Sequence, residues 1–173
     1  MRPPDGVSTG GLSALSHNFF FLKAISFARM LEPFTDEILT WAEVRRTHRI
    51  RNGVYQRHGR LVSLLTDFGR INPCYPDRQD EDSDDTIYYT GAGRRGDQHL
   101  TPANRALLGA IESGHSVPLF NKLSPGRWQH MGYWRVVEAT HRFDEGEQRM
   151  LWRFTLKRVV GSINKDQNRA SRC

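Results

Sequence analysis

The segment from Leu100 to Glu112 carries every local signal of a helix, while the segments around it carry the signals of strands. Thr101 can accept from the first free backbone N–H groups, Pro102 suits the first helical turn, and Gly114 suits a left-handed exit. Leu100, Ala103, Leu107 and Ile111 would then share one face. Strands are predicted at Leu61–Thr66, Thr86–Thr90, Val117–Phe120 and Gly132–Ala139. A last strand is read from Trp152, Phe154 and Leu156 alternating with Arg153, Thr155 and Lys157. Asp144-Glu145-Gly146 is a hairpin turn before it, and Asn52-Gly53 an earlier turn. A weaker helix is predicted after Pro33. Thr35 would be its N-cap, Asp36 and Glu37 would fill its first turn, Ile38, Trp41 and Ala42 its apolar face, and Arg45, Arg46 and His48 its end. Strands without regular strand–helix alternation argue for an α+β, mostly β domain, a barrel or sandwich rather than a parallel sheet.

The chain has 173 residues, 38% of them hydrophobic, which suits one folded domain. Its expected span is 33–160, after a loosely ordered extension (1–32) and before a polar tail (161–173). No apolar run is long enough to span a membrane. The apolar stretch from Phe19 to Ile25 lacks the basic start and small-x-small cleavage pattern of an export signal. Cys74 and Cys173 make neither a disulfide framework nor a zinc pattern, which fits an intracellular setting.

The net charge is +6, a balance that attracts nucleic acid. Six of the nine residues from Asp77 to Asp85 are acidic, so the rest of the chain is more basic than its average. They fall in a stretch, 69–85, that reads as one long loop, and long loops in compact domains often carry function. Arg45, Arg46, Arg49, Arg51, Arg57 and Arg60 form one basic cluster, and Arg94 with Arg95 a second. Gly91-Ala92-Gly93-Arg94-Arg95-Gly96 matches G-x-G-x-x-G after a strand, but no helix opens on its last glycine, so a tight turn is the better reading. No catalytic constellation stands out, and neither a cofactor nor a catalytic residue is expected. Tyr75, Asp77, Tyr88, Tyr89 and Thr90 do gather around the acidic loop and the strand after it. A pocket for an extruded base needs two ring faces and an acceptor for an exocyclic amine. Composition alone favours ordinary barrel-core tyrosines beside a solvated loop.

The order of three blocks adds to this. Tyr89-Thr90-Gly91-Ala92-Gly93, then Asp97-Gln98-His99-Leu100-Thr101, then Asn104-Arg105-Ala106-Leu107 resembles the signature of the SRA (SET- and RING-associated, or YDG) domain. Gly132 to Val137 and Leu151-Trp152-Arg153-Phe154 resemble its later strands, so the similarity runs over roughly residues 50 to 159. The resemblance implies a PUA-like curved β-barrel flanked by two or three helices, which binds double-stranded DNA and flips a modified base, 5-methylcytosine or 5-hydroxymethylcytosine, into a pocket. It implies Tyr89 and Thr90 as one wall, with Gly91 beside them, and Tyr75 and Asp77 (Asp80 in reserve) as the other. Arg45, Arg46, Arg57, Arg60, Arg94 and Arg95 are the expected phosphate contacts. The family's Tyr-Asp-Gly is His130-Met131-Gly132 here, and the long finger of eukaryotic members is reduced to Arg94-Arg95-Gly96, which argues against discrimination of hemimethylated DNA. Compact members occur with a nuclease in modification-dependent restriction, so a nuclease partner is the implied context. Two other readings stay open: an RNA-binding PUA-like module, and an enzyme holding Mg²⁺ or Ca²⁺ on Asp77, Asp80, Glu81 and Asp82.

Overall fold

The computed structural model describes residues 38–159. The extension, the tail, and Thr35, Asp36 and Glu37 lie outside them. The elements are β1 (Ile38–Leu39), α1 (Trp41–Thr47), β2 (Val54–Arg57), β3 (Arg60–Thr66), β4 (Arg78–Gln79), β5 (Thr86–Thr90), α2 (Pro102–Ser113), β6 (Ser116–Ser124), β7 (Arg127–Asp144) and β8 (Arg149–Arg158). They form one curved sheet in the order β2-β3-β6-β7-β8-β5-β4, with β1 against β7. Every pair is antiparallel except β3 and β6. The expected mostly β, curved-sheet architecture is therefore the observed one. No helix among the described residues is long and apolar enough to cross a membrane.

The ladder ends at β2 on one side and β4 on the other, and side chains join β3 to β5 across the gap. The Tyr89 hydroxyl donates to the Leu65 carbonyl at 3.0 Å, and Thr66 Oγ1 donates to Asp77 Oδ2 at 2.7 Å. Gly53 is what allows the first approach, since a Cβ there would lie 2.8 Å from the Tyr89 hydroxyl. Ile87, Tyr89, Leu107, Leu119, Trp134, Phe154 and Leu156 fill the core behind this seam. Full burial of a side chain such as Phe154 contributes about 2–3 kcal/mol.

Sequence and structure agree at α2, whose N-cap is Thr101 and whose C-cap is Gly114 at φ 60°. Its buried stripe is Asn104, Ala106, Leu107 and Ala110, whereas Leu100 precedes the cap and stays 48% exposed. The first helix starts later than expected. Ile38 and Leu39 are extended because they pair with Gln129 and Trp128 of β7. Thr40 is the N-cap, and Glu43 closes a capping box by accepting from the Thr40 backbone. Val44, rather than Ile38 or Ala42, is its buried residue. Strand β2 carried no sequence signal beyond the Asn52-Gly53 turn. It pairs with β3 through His58 and Gly59, whose φ angles of 51° and 77° fit a two-residue hairpin. The stretch read as one loop contains β4, paired with β5 at Arg78–Tyr88 and Gln79–Ile87. Beneath α1, His48 is fully buried. Its Nδ1 lies 2.9 Å from Ser63 Oγ and its Nε2 2.7 Å from the Asn52 carbonyl, and burial lowers its pKa to about 4.

Candidate nucleic-acid interface

Strand β5 sets out the first wall by its period of two. Ile87 and Tyr89 point into the core, while Tyr88 and Thr90 alternate to the other face, where Tyr88 lines a groove and Thr90 is buried. Tyr89 is only 3% exposed, and burial raises its hydroxyl pKa far above the usual tyrosine range. After Thr90 the chain turns through Gly91 to Gly93, and the signature blocks explain how. The Gln98 amide donates to the carbonyls of Gly91 (2.6 Å) and Gly93 (3.1 Å), while its oxygen accepts from Trp152 N. Asn104 accepts from Ala92 N and donates to the carbonyls of Ala92 and His99. Gly91 has no room for a side chain, because a Cβ would come within 2.7 Å of the Trp152 Cβ and 2.9 Å of Asn104 Oδ1. The glycines are thus a clamped turn, as the sequence suggested.

The second wall is the loop 67–77. Asp67 ties its start by accepting from the backbone of Gly69 and from both Asn72 nitrogens. Asp77 ends it at the seam, 7% exposed. One of its oxygens accepts from Thr66 Oγ1 and the other from Thr90 N, each at 2.7 Å. Burial pushes the Asp77 carboxyl up to about 6; those hydrogen bonds oppose the rise and nearby Asp67 adds to it. Tyr75 is half-buried, and burial raises its phenol pKa while the Gly93 backbone, Arg149 and Arg94 pull the other way. The structure therefore brings Tyr75, Asp77, Tyr89, Thr90 and Gly91 together. Asp80 is elsewhere, on the outer side, accepting from the Tyr88 hydroxyl at 2.7 Å.

Two arginines missed as site residues hold the walls together. Arg149, 7% exposed, donates to the carbonyls of Cys74, Gly93 and Gly96. Arg153 donates to the Pro76 carbonyl, to Thr90 Oγ1 and to Asp144 Oδ2 at 2.7–2.9 Å. Arg153 lay in a recognised block, but nothing in the sequence marked Arg149, Thr66 or Asp67. The expected phosphate contacts divide. Arg94 and Arg95 are exposed on the turn beside Tyr75. Arg57 and Arg60 sit at the far tip of the β2–β3 hairpin, six residues along β3 from Thr66 and so about 20 Å away. Arg45 and Arg46 are exposed on α1.

Comparison with known proteins adds to this geometry. A family model described as ScoMcrA-like, SRA domain, matches residues 49–171. No curated protein matches the chain. Among solved structures, the SUVH5 SRA domain in complex with hemi-methylated CG DNA aligns with a TM-score of 0.63 at 23% identity, over 75% of this chain and 89% of that one. The same domain bound to fully hydroxymethylated CG DNA gives 0.60 at 23% identity, over 75% and 90%. The modification-dependent TagI restriction endonuclease gives 0.59 at 20% identity, over 74% of this chain and half (50%) of its own. The shared feature is the fold.

Proposed function

The chain belongs to the ScoMcrA-like SRA domain family, and from that premise we propose that it reads a modified cytosine in duplex DNA by flipping the base into the seam between β3 and β5. The observation that carries this reading is the buried Asp77 carboxylate, fixed between Thr66 and Thr90 and close, with Tyr75, to the Tyr89 hydroxyl. Thr66 Oγ1 and the Thr90 backbone each bond one oxygen and the Thr90 hydroxyl bonds the carboxylate as well, which leaves a lone pair for an exocyclic amine. Tyr75 lies on a loop that can give way and stack on the base, and Tyr89 backs the pocket from the core. Stacking at about 1–3 kcal/mol per base, with the amine hydrogen bond, offsets the few kcal/mol of unstacking. Thr90 and Gly91 line the edge, with 5-methylcytosine or 5-hydroxymethylcytosine as the preferred ligand. Arg94 and Arg95 are the nearest phosphate contacts, and Arg45, Arg46, Arg57 and Arg60 would engage more distant parts of the duplex.

TagI is a modification-dependent restriction endonuclease, and this chain aligns with half of it. By analogy we assign this chain the recognition role beside a nuclease module, intracellular and on DNA, and give it no catalytic residue. The rival metal reading is disfavoured because Asp77 and Asp80 face different sides, Asp77 into the seam toward Thr66 and Thr90 and Asp80 toward the Tyr88 hydroxyl.

A binding panel of duplexes differing in one base modification, with structured RNA as competitor, tests the proposal. The wild-type protein should prefer modified duplex, and Asp77→Ala and Tyr75→Ala should bind modified and plain duplex alike. Wild-type preference retained in both variants, or RNA outcompeting DNA, would sink the assignment.

A further inference from the structure

The outer face of the sheet continues past the pocket. Directly paired residues of antiparallel strands share a face, so the register sets out rows. One row runs Thr140, Arg153, Thr90, and the next runs Glu138, Thr155, Tyr88, Arg78. The rows are one pleat repeat apart, about 7 Å. The second row, with Thr140 and Arg153 of the first, floors an open groove of about 470 Å³ whose sides include Arg142 and Asp144. The groove meets the pocket wall through Arg153, which lines it and donates to Thr90 Oγ1.

Its charges are unequally engaged. Arg153 is paired with Asp144 at 2.7 Å. Arg78 lies over the Tyr88 ring at 4.6 Å, a contact that leaves its N–H groups free to donate. Arg142 is exposed, with no ion pair or hydrogen bond among the described residues. Against these two cations stands Glu138, which accepts only a long bond from Thr155 at 3.4 Å. Asp80 at the rim accepts from the Tyr88 hydroxyl. One row further on, Arg135 pairs with Lys157, which donates to Thr86. Two open guanidinium groups beside an aromatic ring suit a phosphodiester, which Arg binds through paired N–H groups.

We propose that this groove holds the backbone of the DNA strand that delivers its base to the seam, with Arg78 and Arg142 as phosphate contacts and Glu138 weakening that contact. The inference rests on the base-reading function above. It adds a backbone site that the basic clusters of the sequence did not include, since Arg78 lies inside the acidic run and Arg142 is an isolated charge on β7.

The experiment measures affinity against salt for a duplex carrying one 5-hydroxymethylcytosine and for its plain counterpart. The double variant Arg78→Ala/Arg142→Ala should weaken both duplexes by the same factor and lower the magnitude of the salt slope by about 2. Its thermal melt, compared with that of the wild type, checks that the fold is intact. Glu138→Gln should strengthen both duplexes equally. Asp77→Ala should abolish the preference and leave the slope unchanged. If the double variant and Glu138→Gln leave both affinities and the slope as they were while Asp77→Ala abolishes the preference, the groove proposal is overturned and the pocket stands. If the double variant lowers both affinities but Asp77→Ala keeps the preference, the groove stands and the pocket reading fails.

Discussion

The two walls of the seam are held by different means. Tyr89 and Thr90 belong to a strand whose partners on β8, Phe154 and Arg153, fix them by register. Tyr75 and Asp77 belong to a loop whose start closes on its own Asp67 and whose end is anchored by side chains from elsewhere in the chain. Arg149 holds Cys74 across 75 residues and Arg153 holds Pro76 across 77. Thr66 and the Thr90 backbone hold the Asp77 carboxylate. A ladder wall is specified by a local pattern of side chains, whereas a loop wall depends on its distant anchors. The first should therefore fail cooperatively with the fold, and the second should loosen alone.

The largest expected effect attacks the ladder side. Asn104→Ala removes three hydrogen bonds at Ala92 and His99 and should cost about 3 kcal/mol, read as a lower urea midpoint at unchanged slope. Arg149→Ala should cost about 2 kcal/mol, but its distinguishing sign is local. Cys74 should react faster with a thiol reagent while amide protection of β5 stays close to wild type. Equal loosening of β5 and Cys74 would erase the distinction between the walls.

The third prediction concerns pH. Asp77 holds its proton more tightly in the fold, at about 6, than in the unfolded chain, at 3.8. Ionising it therefore costs stability, which falls as pH rises through that window and is constant above it, by about 3 kcal/mol in all. His48, lowered to about 4, acts in the opposite sense, losing stability as pH falls below 6.5. The readout is accordingly the difference between wild type and Asp77→Asn, which should grow in favour of the variant from pH 4 to 6 and level off. A flat difference would remove the buried charge from the account of the pocket. The same carboxylate is the proposed acceptor of the base, so the preference for modified duplex should weaken as pH drops below about 6. The smallest effect is a control far from both walls. Gly59→Ala at φ 77° in the β2–β3 turn should cost about 1 kcal/mol and leave the preference for modified DNA intact.

What the sequence shows of this molecule follows the same division. Strand β5 and helix α2 were readable to within a residue or two, because period and caps are local. Gln98 and Asn104 were visible as markers, though their work of clamping the glycine turn emerges only from the hydrogen bonds. Strand β2 was missed because a four-residue strand has too few positions to show a period. The early start predicted for the first helix failed because β7 captures Ile38 and Leu39, a pairing between residues some ninety positions apart that no local preference encodes. Arg153 looks like an ordinary outward residue of a half-buried strand and Arg149 lies before that strand as predicted, since nothing near them in the chain announces the carbonyls they bind.

The parallel pairing of β3 with β6 also governs how the protein can assemble. Leu64 meets Leu119, and everything between them, including Tyr75, Asp77, Tyr89 and α2, is enclosed in the loop that this contact closes. Closing so long a loop is slow, because its entropy is lost before distant contacts return any stability. During synthesis, a nascent chain that has emerged only through α2 carries every proposed pocket residue, yet the strands that supply Arg149 and Arg153 are still to come. Competence to grip a base should therefore appear late and all at once, with the completion of the last hairpin.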